Sequence, residues 1–188
     1  MSKELEDVLN RLDRLESIEA IRQLATVYAV ACDEHDMTRL MSLFTADAVF
    51  DSPTKTMIAE GREQIEKMFV DLFRIRGPAF HWTHDKNITL DPKDSNKASG
   101  VIYSHAETTP NNVISLAAMK YLDEYERHDE TWQFSRREIH FLYYVPFSNY
   151  SRGLNNRLRV WVGDKAYPGD YPESLPAWQE YVSKYLSS

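Results

Sequence analysis

Four consecutive stretches with a two-residue apolar repeat, residues 80–90, 98–108, 113–127 and 131–145, most restrict what this 188-residue chain can become. A two-residue period sends alternate side chains to opposite faces, so each stretch reads as a half-buried β-strand. The segments between them, "DPKDSNK", "TPNN" and "HDET", are rich in turn formers, which predicts hairpins and an antiparallel sheet. The first third of the chain repeats every three to four residues instead. Leu5, Val8, Leu9, Leu12 and Leu15 predict a short helical arm over residues 1–16. Ser17 would then cap a main helix carrying Ile18, Ile21, Leu24, Val27 and Tyr28. Asp36 fits the cap of a short helix, "DAVFDS" reads as a short strand ending near Phe50, and Ile65, Met68, Phe69, Leu72 and Phe73 share one face of a third helix. That helix should stop near Gly77 and Pro78.

Helices followed by hairpin-linked strands, without βαβ alternation, predict an α+β fold in which a bent antiparallel sheet buries one face against the N-terminal helices. The expected organisation is the arm over 1–16, one domain over 17–147, and a loop-rich tail over 148–188 that ends in a short helix. Hydrophobic residues at 43% and charged residues at 27% provide for one real core and argue against wholesale disorder.

Charge narrows the function. With 22 Lys and Arg against 29 Asp and Glu the net charge is −7, which on average repels a phosphate backbone or an anionic membrane. No stretch approaches the ~20 apolar residues of a membrane span, and the start is charged, without the apolar segment of a secretory leader. The expectation is a cytoplasmic protein without nucleic-acid or membrane partners. The single cysteine, Cys32, excludes an internal disulfide and a thiolate metal cluster.

The densest concentration of chemistry is "HWTHDKNITLD", residues 81–91, in a chain with only six histidines. Strand alternation places His81, Thr83 and Asp85 on one side and Trp82, His84 and Lys86 on the other. The two histidines therefore diverge, which counts against a metal site, and no metal is expected. Acid-base work instead needs one imidazole held by a carboxylate, because the partner fixes the tautomer of a group that titrates near neutrality. Asp33, at the end of the main helix, could be that partner, and Tyr28, five residues earlier, could supply a phenol. The bland alternatives are a helix-end aspartate facing water, a core tyrosine and a structural strand histidine. In the next strand Tyr103 and His105 share a face, and Arg136 and Arg137 point opposite ways in the last; either face could line a pocket.

In order and spacing, "IEAIRQLATVYAVACDEHD", "LFTADAVF", "EGREQIEKMF", "HWTHDKNITLD" and "YLDEYERHDETWQFSRR" resemble the SnoaL-like branch of the nuclear-transport-factor-2-like (NTF2-like) superfamily, over roughly residues 15–145. The resemblance implies a cone-shaped α+β fold with a central pocket, no cofactor, and a small hydrophobic substrate. It also implies homo-oligomers, dimer or trimer. Matched to the dehydratases and dehydrochlorinases of that branch, the catalytic residues fall on His81, Asp33 and Tyr28. Arg136 or Arg137 meets the arginine of the dehydrochlorinases, whereas Ala106 and Phe141 stand where a dehydratase has an aspartate and an arginine. Candidate substrate-binding residues are His105, Arg137, Arg136, Tyr103, Phe50 and His84. The implied reaction is elimination of the dehydratase type; isomerisation or ring closure by the same fold, or ligand carriage without chemistry, remain alternatives.

Overall fold

A computed structural model describes residues 2–53 and 57–186; Met1 of the expected arm and residues 187–188 of the expected tail lie outside them. The chain begins with one continuous helix, α1, Lys3–Glu34, capped by Ser2, whose hydroxyl accepts the N–H of Leu5. The expected break at Ser17 does not occur. Ser17 is buried and its hydroxyl accepts from Arg127, so a residue with cap chemistry serves as a packing contact inside an unbroken helix. Helix α1 ends where His35 adopts a left-handed conformation, φ 54°, and its N–H closes on the carbonyls of Ala31 and Cys32. Asp36 caps α2, Met37–Ser42, as expected. Strands β1, Phe44–Asp51, and β2, Ile58–Glu60, lead into α3, Arg62–Arg76, which buries Ile65 and Phe69.

The sheet follows as β3, Phe80–Leu90; β4, Lys97–Thr108; β5, Ser115–His128; and β6, Thr131–Pro146. Its spatial order is β2-β1-β6-β5-β4-β3, antiparallel except for the β1–β6 pair. The sheet is bent and open, and α1 lies in its concavity, so the core gathers Ile21, Leu24 and Tyr28 against Phe44, Ile102, Tyr121 and Phe134. Each such side chain taken out of water contributes about 1.5–3 kcal/mol.

Three bulges decide which residues face inward. Between Thr83 and Lys86 the β3–β4 register slips by one residue, so Asp85 turns outward and Lys86 joins His81 and Thr83 on the helix side, where its ammonium meets Arg22 O and Thr26 Oγ1. An extra residue at Ser135 puts Phe134 and Arg137 on the same inner face, and a third, near Leu142, does so for Phe141 and Tyr144. Simple alternation through these points places Asp85 beside His81 and puts Phe134 on the face opposite Arg137.

The tail is part of the sheet. After α4, Tyr150–Gly153, strand β7, Leu158–Val162, meets β6 at Tyr144 and pairs with β8, Lys165–Pro168; helix α5, Pro176–Tyr185, closes the chain. Strand β1 covers β6 only as far as Glu138. Beyond it Asp170 exchanges two hydrogen bonds with the backbone of Phe141, both 2.9 Å, so the tail satisfies an edge that would otherwise be bare. Arg159, buried, anchors it to Leu142 O of β6 at 2.7 Å and, within the tail itself, holds Glu173 at 2.5 Å.

Candidate active site

The last turn of α1 and the first residues of β3 meet at the open end of the cone. Asp33 is the last residue but one of the helix, with its side chain 22% exposed. One carboxylate oxygen accepts the backbone N–H of His81 at 2.9 Å and the other lies 2.5 Å from His81 Nδ1. A single carboxylate thus fixes both the strand and the ring. With Nδ1–H donated to Asp33, the tautomer follows from that bond and Nε2 carries the lone pair. The imidazole is 6% exposed.

His81, Tyr28, Thr83, Ser104, Tyr121 and Arg137 line an interior crevice with no room for a water molecule. It is narrow because Tyr28 projects across it. Phe44, Phe69, Tyr121 and Phe134 pack around the Tyr28 ring at 5.8–6.3 Å between centroids, all edge-on. Burial, then the neighbouring Cys32 and Tyr121, push the Tyr28 hydroxyl well above 10, so at neutral pH it is a proton donor and not a phenolate. Burial likewise raises Cys32 to about 11 and Tyr121 to about 12.

Arg137 forms the floor. Its guanidinium lies 4.1 Å from the Tyr28 ring, 4.2 Å from Tyr121 and 4.1 Å from Phe134, and it grips Asp123 with Nε at 2.9 Å and Nη2 at 2.8 Å. Burial opposes its charge, but Asp123 outweighs burial and the cation is held more firmly than in water. Asp123 also accepts the Tyr125 hydroxyl at 2.8 Å. Gly100 is needed beneath this network: a Cβ there would sit 2.9 Å from Tyr125 Oη.

Of the residues singled out from the sequence, His81, Asp33, Tyr28 and Arg137 come together here. The others do not. Tyr103 and His105 lie on the outer face, because their inward neighbours on β4 are Ile102, Ser104 and Ala106. His84 is also outside, 5.0 Å from His105 between ring centroids. Phe50 is wholly buried core between Phe44 and Phe69. Arg136 points out, bound to Glu138 at 2.7 Å and Asp51 at 3.0 Å, beside a shallow outer groove. Thr83, Ser104 and Tyr121 were not singled out as site residues; Thr83 shares the expected inward phase of His81, the one sequence signal for it.

Relatives share this architecture. Gamma-hexachlorocyclohexane dehydrochlorinase of Sphingobium indicum is 28% identical over 145 residues, 74% of this chain and 90% of that protein. The crystal structure of LinA matches with a TM-score of 0.68 at 26% identity, covering 73% of this chain and 94% of the other. A LinA-type3 hexachlorocyclohexane dehydrochlorinase from Novosphingobium barchaimii, 23% identical, shares the fold with a TM-score of 0.66 over 73% of this chain and 94% of its own. The model of the SnoaL-like domain matches residues 13–138, from the middle of α1 to the outer-face Glu138, and the chain belongs to that family.

Proposed function

We propose that the protein is a cofactor-independent lyase that eliminates a leaving group from a mostly apolar, cyclic small molecule. His81 Nε2 takes a proton from a ring carbon, the C–H pair becomes the new π bond, and the leaving group on the next carbon departs with its bonding electrons. Asp33 orients the imidazole and stabilises the imidazolium as it forms. Tyr28, a neutral donor, hydrogen-bonds the departing group or an enolate oxygen, and the Arg137 cation supports negative charge as it develops. The observation that carries the reading is the two-point grip of Asp33 on His81, which aims the ring at a crevice lined by a donor and a cation. The dehydrochlorinase relatives support elimination over isomerisation, which needs the same first proton transfer.

The test is to incubate the purified protein with γ-hexachlorocyclohexane and with cyclic β-hydroxyketones, following chloride release, water loss and deuterium uptake from D2O. Activity in one assay is expected, with His81→Ala slower by about 10²- to 10⁴-fold. A stable and active His81→Ala protein overturns the assignment, and so does a His84→Ala protein that loses the reaction. The rival, a non-catalytic carrier, is favoured by the narrowness of the crevice; ligand binding without turnover, unchanged in His81→Ala, would establish it. The proposal includes a cytoplasmic homo-oligomer, supported by the exposed leucine stripe of α1, and a monomeric mass in solution would remove the oligomer.

A further inference from the structure

Several arginines of this protein are committed to carboxylates. Arg127, Arg136, Arg137 and Arg159 each hold a carboxylate. Arg76, the last residue of α3, does not: its Nε and Nη2 are buried and no atom of the described residues accepts from them. The residue is firmly placed. Its backbone carbonyl accepts from the N–H and the hydroxyl of Thr109, at 3.2 and 3.0 Å, and its guanidinium lies 5.1 Å from the Phe73 ring. Gly77 turns the chain immediately after it at φ 58°, where a Cβ would meet Thr109 Oγ1 at 2.6 Å, so this helix end has little freedom to swing away.

This end of α3 stands by the end of α1 that carries Asp33, because the Phe73 ring stacks on His35 at 4.2 Å between centroids. Thr108, next to the Thr109 anchor, bonds the Tyr144 hydroxyl at 2.8 Å. Tyr144 in turn stands at the level of His81 across the sheet, through the pairs Tyr144–Ala117, Ala117–Ala106 and Ala106–His81. The Arg76 charge is felt by Tyr28, Cys32, Tyr121 and Tyr144, lowering each against the upward push of burial. A cation therefore stands close to Tyr28 and Tyr121, two residues that line the crevice with His81.

The two free donors are informative. Nε and Nη2 form one edge of a guanidinium, and it is this edge of Arg137 that takes both oxygens of Asp123. We propose that Arg76 is a binding residue of the candidate site and that the molecule it receives carries a carboxylate, held by two parallel hydrogen bonds while the ring extends toward His81. This deepens the lyase reading and rests on it for the identity of the crevice, but it concerns binding and not proton transfer. A planar fork distinguishes a carboxylate from an amide or hydroxyl of the same shape, because only the carboxylate offers two acceptors and the opposite charge.

The test uses binding alone, on the full chain, by calorimetric titration with cyclohexanecarboxylate and its neutral isostere cyclohexanecarboxamide. The wild-type protein is expected to bind the carboxylate about 10- to 100-fold more tightly than the amide. Arg76→Met should erase that preference, weakening the carboxylate and leaving the amide unchanged, while Arg76→Lys, which keeps the charge but not the fork, restores part of it. His81→Ala should keep the full preference, so a protein that shows it without any turnover fails as a lyase but not as a carboxylate binder. Equal affinity for the two probes in the wild-type protein, or an undiminished preference in Arg76→Met, overturns the proposal. If Arg76→Met does not fold, Arg76→Lys decides: an undiminished preference there excludes the fork.

Discussion

The two faces of the sheet carry the same pair of motifs with different meaning. Inside, Asp33 holds His81 at 2.5 Å and Asp123 holds Arg137 at 2.8 Å; outside, Glu138 holds His140 at 2.6 Å and Arg136 at 2.7 Å. Bond length does not separate them. What separates them is commitment and outlook. Asp33 serves one histidine, at its ring and its backbone, across 48 positions of chain, whereas Glu138 is divided between two partners on its own strand. His81 then faces a crevice shared with Tyr28 and Arg137, while His140 does not line it. A histidine-carboxylate pair becomes a candidate base through what its other nitrogen sees.

The largest expected effect tests that difference directly. His81→Ala should reduce elimination by about 10²- to 10⁴-fold, while His140→Ala should leave the rate within about twofold, both measured as initial rates on proteins of matched melting temperature. Equal losses in the two variants would erase the distinction between the faces.

The arginine pairs provide the second comparison, in stability. Asp123→Ala strands a fully buried guanidinium and is expected to cost about 3–5 kcal/mol, read as a fall in the urea midpoint. Glu138→Ala removes a partner from Arg136, which is 37% exposed and keeps Asp51, so the expected cost is about 1 kcal/mol or less. A loss of several kcal/mol in Glu138→Ala would mean that the outer network is structural.

Much of this was legible in sequence, and each loss has a physical cause. Strand existence came from the two-residue period, and the limits of β3 to β6 fall within two residues of the expected stretches. The same alternation divided His81 from His84. It failed for Asp85 and Phe134 because a bulge inserts one residue without any residue-type signature, and every side chain beyond it changes face. Tyr103, His105 and Phe50 were singled out for their chemistry, yet whether a strand face looks inward depends on where α1 lies. Arg76 was invisible for another reason. A basic residue in a last helical turn is ordinarily read as a partner of the helix dipole, and only burial shows that its donors have no acceptor. The tail read as loop because β7 and β8 are short, and their reason to exist, the bare edge of β6, is a tertiary fact.

That tail supplies an acid test on the outer side. Its Glu173 carboxyl is held below the usual 4.5, first by the hydrogen bond from Arg159. A depressed carboxyl contributes stability that is present above the unfolded value and is lost as pH falls through the folded one. Below about pH 4.5 Glu173 therefore begins to release Arg159, and the tail should become sensitive to pepsin before the body unfolds. Glu173→Gln should give the same cleavage at pH 6 with a suitable protease. Simultaneous cleavage of tail and body at every pH would show that the tail is no separate unit.

The smallest expected effect lies where α1 touches neither face. Its first contacts with the body are Asp13 and Ser17, both on Arg127, and the apolar side chains before them, Leu5, Val8, Leu9 and Leu12, are about half exposed. A twelve-residue helix is marginal in water, so these turns persist by propagation from the docked half of α1 and add little to the fold. Deleting residues 1–12 should change stability by no more than about 0.5 kcal/mol, and amides of residues 6–12 should exchange far faster than those of Ile21 to Cys32. The outcome that sharpens the comparison is a larger loss that grows with protein concentration: the arm's leucines would then be covered by a second copy, and this third surface would belong to the assembly and not to the monomer.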